Sequence, residues 1–217
     1  MNQRTFIFFD LDGTLTDPGE GIINSLIYAL RHFDIEGDPD TLAKFIGPPL
    51  LDSFQRFYGF DEAKARQAIK VYREYFNDHG VLANYEYPGI TELLQALTDA
   101  GKRLAVATSK PTIYAVQVLE HFKLDRFFPQ AWIIGSFLDG TRTNKAELIA
   151  EALRVTGAVP EDTVMVGDRK FDILGAKANG MDAIGVTYGY GEEQELKEAG
   201  ALHVVHSVEE LKSLLLG

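Results

Sequence analysis

Apolar and polar positions along this chain fall into blocks whose period changes from one block to the next. Thr5 to Phe9 are almost all β-branched or aromatic, and the run stops abruptly at Asp10-Leu11-Asp12-Gly13-Thr14. A short unbroken run of this kind reads as a strand buried on both faces, as in a parallel sheet. The period then becomes helical. Ile22, Ile23, Leu26, Ile27, Leu30 and Phe33 share one stripe, as do Ala68, Val71, Tyr72 and Tyr75 within Ala63 to Phe76. Gly37-Asp38-Pro39 and Phe45-Ile46-Gly47-Pro48-Pro49 interrupt it, because proline cannot continue a helix. Residues 16–83 hold no convincing strand and are predicted to form a separate helical module.

After Pro88-Gly89, helices and strands alternate. Helices are predicted over residues 90–100, 112–122, 145–156, 170–179 and 208–216, and strands over 103–108, 131–134, 163–166, 182–186 and 203–205. Such alternation argues for a parallel sheet covered on both faces. The expected fold class is α/β: a doubly wound parallel sheet from residues 1–15 and 84–217, with the helical module of residues 16–83 inserted after its first strand. Ligands of such sheets bind beyond the carboxyl ends of the strands. Polar residues cluster there: Asp10 and Asp12 after the first strand, Thr108 and Ser109 after the second, Asp168 and Asp172 after a later one, with Lys145 opening a helix.

Composition narrows the chemistry. The 217 residues, 46% hydrophobic, can supply a real core. The absence of cysteine excludes disulfides, thiolate metal sites and cysteine nucleophiles. The first apolar run is too short for a signal peptide or a membrane span, so the chain is expected to be soluble and cytoplasmic. A formal net charge of -11 repels nucleic acid and anionic lipid, so neither is expected as a partner. The same charge repels phosphate, so a phosphate site would need local positive charge.

Two carboxylates two residues apart at the end of an apolar strand are costly to bury unless paired or bound to metal. Magnesium suits Asp10 and Asp12, since it takes hard oxygen ligands and is usually held by one or two carboxylates. Gly13 and Thr14 would let backbone N–H groups of the turn cradle a phosphate. The same residues also suit an ordinary strand-to-helix turn. Thr108 and Ser109, ahead of the helix that begins near Pro111, suit a phosphate oxygen or a simple helix cap. Lys145 is poorly placed against a positive helix N-terminus, which hints at another task. Asp168, after an apolar strand, and Asp172, one helical turn later, repeat the logic of the first motif, although a helix N-terminus alone accounts for Asp172.

Taken in order, Asp10-Leu11-Asp12-Gly13-Thr14, Thr108, Lys145, and Gly167-Asp168 with Asp172 resemble the haloacid-dehalogenase-like (HAD) superfamily in its phosphatase branch. The resemblance covers essentially the whole chain, including a helical cap. Ile46-Gly47-Pro48-Pro49-Leu50 and Tyr188-Gly189-Tyr190-Gly191 are similar to segments of phosphoglycolate-phosphatase-like and 5'-nucleotidase-like members. The resemblance implies that Asp10 attacks phosphorus to form an aspartyl-phosphate and that Asp12 protonates the leaving alcohol and later activates water. It implies that Thr108 and Lys145 hold phosphoryl oxygens, that Lys145 keeps Asp10 ionised, and that Asp10, the Asp12 carbonyl and Asp168 bind Mg2+, with Asp172 close behind. Asp12 is absent from the dehalogenases, which favours phosphoryl transfer to water from a small phosphorylated metabolite. A phosphosugar mutase and a non-catalytic phosphate-sensing or partner-binding protein remain the alternatives. Arg169 and Phe171 depart from the residues common in relatives. Asn24, Lys44 and Gly47 of the cap are candidates to meet the leaving group.

Overall fold

The computed structural model describes residues 4–217. In chain order its regular elements begin with β1 (Phe6–Phe9), β2 (Thr16–Asp17), α1 (Gly19–Arg31), α2 (Pro39–Ala43), α3 (Leu50–Tyr58) and α4 (Glu62–Tyr75). A π-helical turn, Phe76–Gly80, and β3 (Tyr85–Glu86) follow. Then come α5 (Ile90–Asp99), β4 (Arg103–Pro111), α6 (Thr112–His121), β5 (Ile133–Ser136) and α7 (Lys145–Thr156). The chain ends with β6 (Thr163–Gly167), α8 (Lys170–Ala178), β7 (Asp182–Val186), α9 (Glu193–Ala199), β8 (His203–Val205) and α10 (Val208–Leu216). Contacts divide it into two units, Met1–Asp17 with Glu86–Gly217, and Pro18–Tyr85.

The first unit is a parallel six-stranded sheet in the order β5-β4-β1-β6-β7-β8. All four residues of β1 are buried, as expected of a central strand covered on both faces. On one face Phe6, Phe8, Ala105, Ala107, Met165 and Ala183 pack with Leu148, Ile149 and Ala152 of α7 and Ile173 and Ala176 of α8. From β1 the chain builds outward to β4 and β5 on one side and to β6, β7 and β8 on the other. The strand order therefore reverses at β1, the place where such sheets open a crevice. Phe9 is level with Val106 of β4 and with Val166 of β6, so the residues following these three strands emerge side by side.

The second unit is helical. Asp61 caps α4 by accepting from Lys64 N–H at 2.8 Å, and Ala65, Ala68, Val71 and Tyr72 form its buried stripe. Leu26, Leu30, Leu42, Phe45 and Phe54 are fully or almost fully buried in its core. Phe54 meets Phe45 edge-on at 5.1 Å and stacks on Phe60 at 5.7 Å. Phe45, Phe54 and Phe60 thus pack on one another inside the helical unit. Among the described residues no helix is long and apolar enough to cross a membrane.

Candidate active site

Three strand ends converge because their strands are neighbours. Asp10 follows β1 and donates its backbone N–H to the carbonyl of Val166 at 2.9 Å, which holds the Asp10 backbone against β6. Asp10 Oδ1 accepts the N–H of Leu11 at 2.7 Å, while Oδ2 lies 3.0 Å from Lys145 Nζ. Asp168 follows β6, and Asp172 occupies the first turn of α8. Ligand oxygens of Asp10, Asp168 and Asp172 lie within 4.8 Å of one another, and all three residues are buried.

Lys145 is the first residue of α7, whose start is fixed by Asn144 accepting the N–H of Ala146 at 2.8 Å. Its buried ammonium faces Asp10 Oδ2 at 3.0 Å, Asp172 Oδ1 at 2.7 Å and the Ala107 carbonyl, to which it donates at 3.1 Å. Burial works to depress the Lys145 pKa, but Asp10 and Asp172 outweigh it and hold the ammonium charged above its ordinary range. Its three donors face three protein acceptors, so a phosphoryl oxygen would have to share or displace one of them.

Asp172 divides its oxygens: Oδ1 pairs with Lys145, and Oδ2 accepts the N–H of Arg169 at 3.0 Å as the capping residue of α8. Asp172 thus caps α8 and also lies beside Lys145. Gly167 makes the arrangement possible, because a Cβ there would stand 2.2 Å from the Asp172 carboxyl carbon.

The turn after β1 corrects one expectation. Gly13 N–H donates to the Thr16 carbonyl at 2.7 Å and Thr14 N–H to Leu11 at 3.2 Å. Those N–H groups close the turn and are not offered to a phosphate. Gly13 serves sterically instead: its φ is +80°, and a Cβ would lie 2.2 Å from Asp168 Oδ2. Thr14 is fully buried, its hydroxyl without a hydrogen-bond partner.

Thr108 and Ser109 lie in the last part of β4, which runs on to Pro111 where the sequence predicts an end at Thr108. Thr108 is buried and its Oγ1 accepts the N–H of Lys110 at 3.2 Å, which leaves its own proton free to donate. Ser109 Oγ makes a long contact of 3.4 Å with the Thr143 carbonyl. Lys110 escaped the sequence reading. Its ammonium is buried and touches both oxygens of Asp12, at 3.0 and 2.9 Å. Burial raises the Asp12 pKa, and Lys110 opposes that shift without cancelling it.

Whether these residues fit a divalent cation can be tested on charge and on hydrogen bonding. Among the described residues, Asp10, Asp12, Asp168 and Asp172 bring four carboxyl groups against the two ammonium groups that pair with them, Lys110 and Lys145. Asp168 Oδ1 is buried without a hydrogen-bond partner. Burial, then the neighbouring Asp172 and Asp10, push the Asp168 carboxyl well above its usual range, and the Tyr190 N–H and Arg169 oppose that shift without cancelling it. A hard cation among these oxygens answers both conditions, so the donor set fits Mg2+.

The sequence pattern of the haloacid dehalogenase-like hydrolases matches residues 7–186. The chain belongs to that family. A 5'-nucleotidase from Pseudomonas aeruginosa is 48% identical to this hydrolase over 211 residues, 96% of this chain and 94% of its own. The tyrosine-protein kinase PtkA of Mycobacterium tuberculosis is 39% identical over 96% of this chain and 72% of its own. The crystal structure of a predicted phosphatase from Clostridium acetobutylicum superposes with a TM-score of 0.94, at 48% identity and 97% coverage of both chains.

Residues after β7 also reach the carboxylate cluster. Tyr190 N–H donates to Asp168 Oδ2 at 2.8 Å, Tyr188 Oη to the Thr14 carbonyl at 3.1 Å, and Tyr190 Oη to Asp17. Tyr87 packs edge-on against Tyr188 at 5.1 Å. Burial, then neighbouring carboxylates, hold the Tyr87 and Tyr188 phenols above their ordinary range. Sequence likeness had singled out Tyr188-Gly189-Tyr190-Gly191, but its contact with Asp168 is visible only in three dimensions. Arg169 turns to Glu195, with Nε 3.0 Å from Oε1, and Phe171 is half-buried beside the side chains of Arg169 and Lys170. Asn24 is exposed on α1, Lys44 is exposed just after α2, and Gly47 is half-buried with φ +102°. These three belong to the helical unit and are not among the residues of the cluster.

Proposed function

We propose that this hydrolase, a phosphatase of its family, cleaves a small phosphomonoester through an aspartyl-phosphate on Asp10. The observation that carries the reading is the convergence of Asp10, Asp168 and Asp172 around buried Lys145, with an unpartnered oxygen on Asp168. We assign the magnesium ligands to Asp10, the Asp12 backbone carbonyl and Asp168, with Asp172 behind them. When bound, the ion supplies charge neutralisation at the phosphoryl oxygens, the main requirement of this reaction.

An oxygen of Asp10 attacks phosphorus while the bond from phosphorus to the ester oxygen breaks. Asp12 gives its proton to that oxygen, and the alcohol leaves. Water then attacks the phosphorus of the aspartyl-phosphate, Asp12 takes the proton of the water, and inorganic phosphate departs with Asp10 restored. Lys145, 3.0 Å from Asp10 Oδ2, offsets the negative charge at the nucleophile. Thr108, whose hydroxyl proton is free to donate, holds a phosphoryl oxygen, with Ser109 beside it. The cysteine-free composition suits a reducing cytoplasm as the place of action.

The relative named 5'-nucleotidase puts nucleoside 5'-monophosphates first among the esters to try, with phosphoglycolate next. The experiment is phosphate release from such a panel with and without magnesium, for the wild type and Asp10→Asn. Magnesium-dependent release that disappears in the variant is expected. Well-folded wild-type protein that releases phosphate from no ester contradicts the reading.

A further inference from the structure

Asp12 must present its proton along one direction, yet an aspartate side chain turns about two bonds. In this structure one residue restrains it at both oxygens. Lys110 Nζ donates to Asp12 Oδ1 at 3.0 Å and to Oδ2 at 2.9 Å. Both side chains are withdrawn from water, 4% and 13% exposed, so the pair forms where charge is poorly screened. The backbone places the lysine there. The register between β4 and β5 shifts between Ala107 and Pro111, and Lys110 N–H donates to Thr108 Oγ1 at 3.2 Å. One residue thus orients two groups of the site, the Thr108 hydroxyl through its backbone and the Asp12 carboxyl through its side chain.

We propose that Lys110 is a positioning residue for Asp12, holding the carboxyl group that hands a proton to the departing ester oxygen. The assignment rests on the phosphatase reading above. Its consequence is specific. In kcat/KM, which ends with formation of the aspartyl-phosphate, losing Lys110 should hurt esters whose leaving group needs a proton and spare those whose leaving group departs as an anion; the water step, which Asp12 serves for both, enters kcat alone. A residue that merely held the fold, or one that gripped the phosphoryl group, would affect both kinds of ester alike.

The test measures kcat/KM on ethyl phosphate, whose alkoxide needs the proton, and on p-nitrophenyl phosphate, whose phenolate does not. The proteins are the wild type, Lys110→Met, Lys110→Arg, Asp12→Asn and the double variant, all in saturating magnesium. General acid catalysis contributes about 10²–10⁴-fold. Lys110→Met is therefore expected to lose at least about tenfold more on ethyl phosphate than on p-nitrophenyl phosphate. Lys110→Arg, which keeps the charge, is expected to recover part of that difference. Adding Lys110→Met to Asp12→Asn should cost nothing further on ethyl phosphate, because the two changes remove one function. Equal losses on both esters in Lys110→Met and Lys110→Arg, or a full additional loss in the double variant, would overturn the assignment while leaving the phosphatase reading intact. A wild type that hydrolyses neither of these esters nor any of the panel would remove that reading, and this proposal with it.

Discussion

The backbone N–H of Tyr190 donates to Asp168 Oδ2 at 2.8 Å, so the loop after β7 secures one oxygen of an acid at the end of β6 and leaves the other without a partner. Burial, then Asp172 and Asp10 beside it, raise the pKa of this carboxyl. Asp168→Asn removes the unfavourable charge and also a proposed magnesium ligand. In chelator, the variant is expected to melt at or above the wild-type temperature. Magnesium at a hundredfold its dissociation constant should stabilise the wild type by about 2.7 kcal/mol and the variant by much less. Thermal melts with and without magnesium check this, and a wild type whose melting ignores the ion would contradict it.

Lys145 neutralises two buried acids at once. Lys145→Met strands Asp10 and Asp172, and breaking a buried pair on one side typically costs about 3–5 kcal/mol. Urea unfolding should show a loss of that order, and Asp172→Asn added to Lys145→Met should recover part of it. A loss below about 1 kcal/mol, the worth of an exposed pair, would mean that the lysine is not clamped as described.

Much of this arrangement was legible in the chain itself. β1 is apolar at every position because it lies at the centre of the sheet, and the acids that follow it and β6 mark the strand ends that meet. Other parts were not. α9 has only Leu196 and Ala199 buried, too few to set a helical period, and the short α3 buries only Ser53 and Phe54. Lys110 reaches Asp12 only because β4 continues past Thr108 with a shifted register, which no local spacing records. The N–H groups of Gly13 and Thr14 suggested a phosphate cradle, but the turn consumes them.

Gly13 offers a steric test. Alanine there would need φ near +80° and would place Cβ 2.2 Å from Asp168 Oδ2. Displacement of site groups by about 1 Å can cost about 10²-fold in rate, so at least that loss of kcat is expected for Gly13→Ala. Gly157→Ala is the control, since φ is +68° there but nothing lies within 4 Å of the added Cβ. It should cost about 1 kcal/mol of stability and leave kcat unchanged. Equal kcat in the two variants would contradict the close approach at Gly13.

Glu195 gives a pH signature through its pair with Arg169. Burial pushes its carboxyl up, but the Arg169 side chain and the Lys170 N–H outweigh that and hold it below its ordinary value. Its contribution is therefore present above the unfolded pKa of about 4.3 and is lost as pH falls through the lower folded value. Glu195→Gln should cost about 1 kcal/mol at pH ~7, and the difference from wild type should shrink at pH ~3. Urea unfolding at both pH values measures it, and an equal difference at both would contradict the assigned pair.

The central claim is that Asp10 carries the phosphoryl group. The most direct measurement is to quench the enzyme in acid during turnover, reduce it with borohydride, and search its peptides by mass spectrometry, since an aspartyl-phosphate is reduced to homoserine. The account predicts homoserine at position 10, in wild-type protein given substrate and magnesium, and none when substrate is omitted. Turnover of a phosphomonoester with no modification at position 10, or with one at another carboxylate, would contradict it.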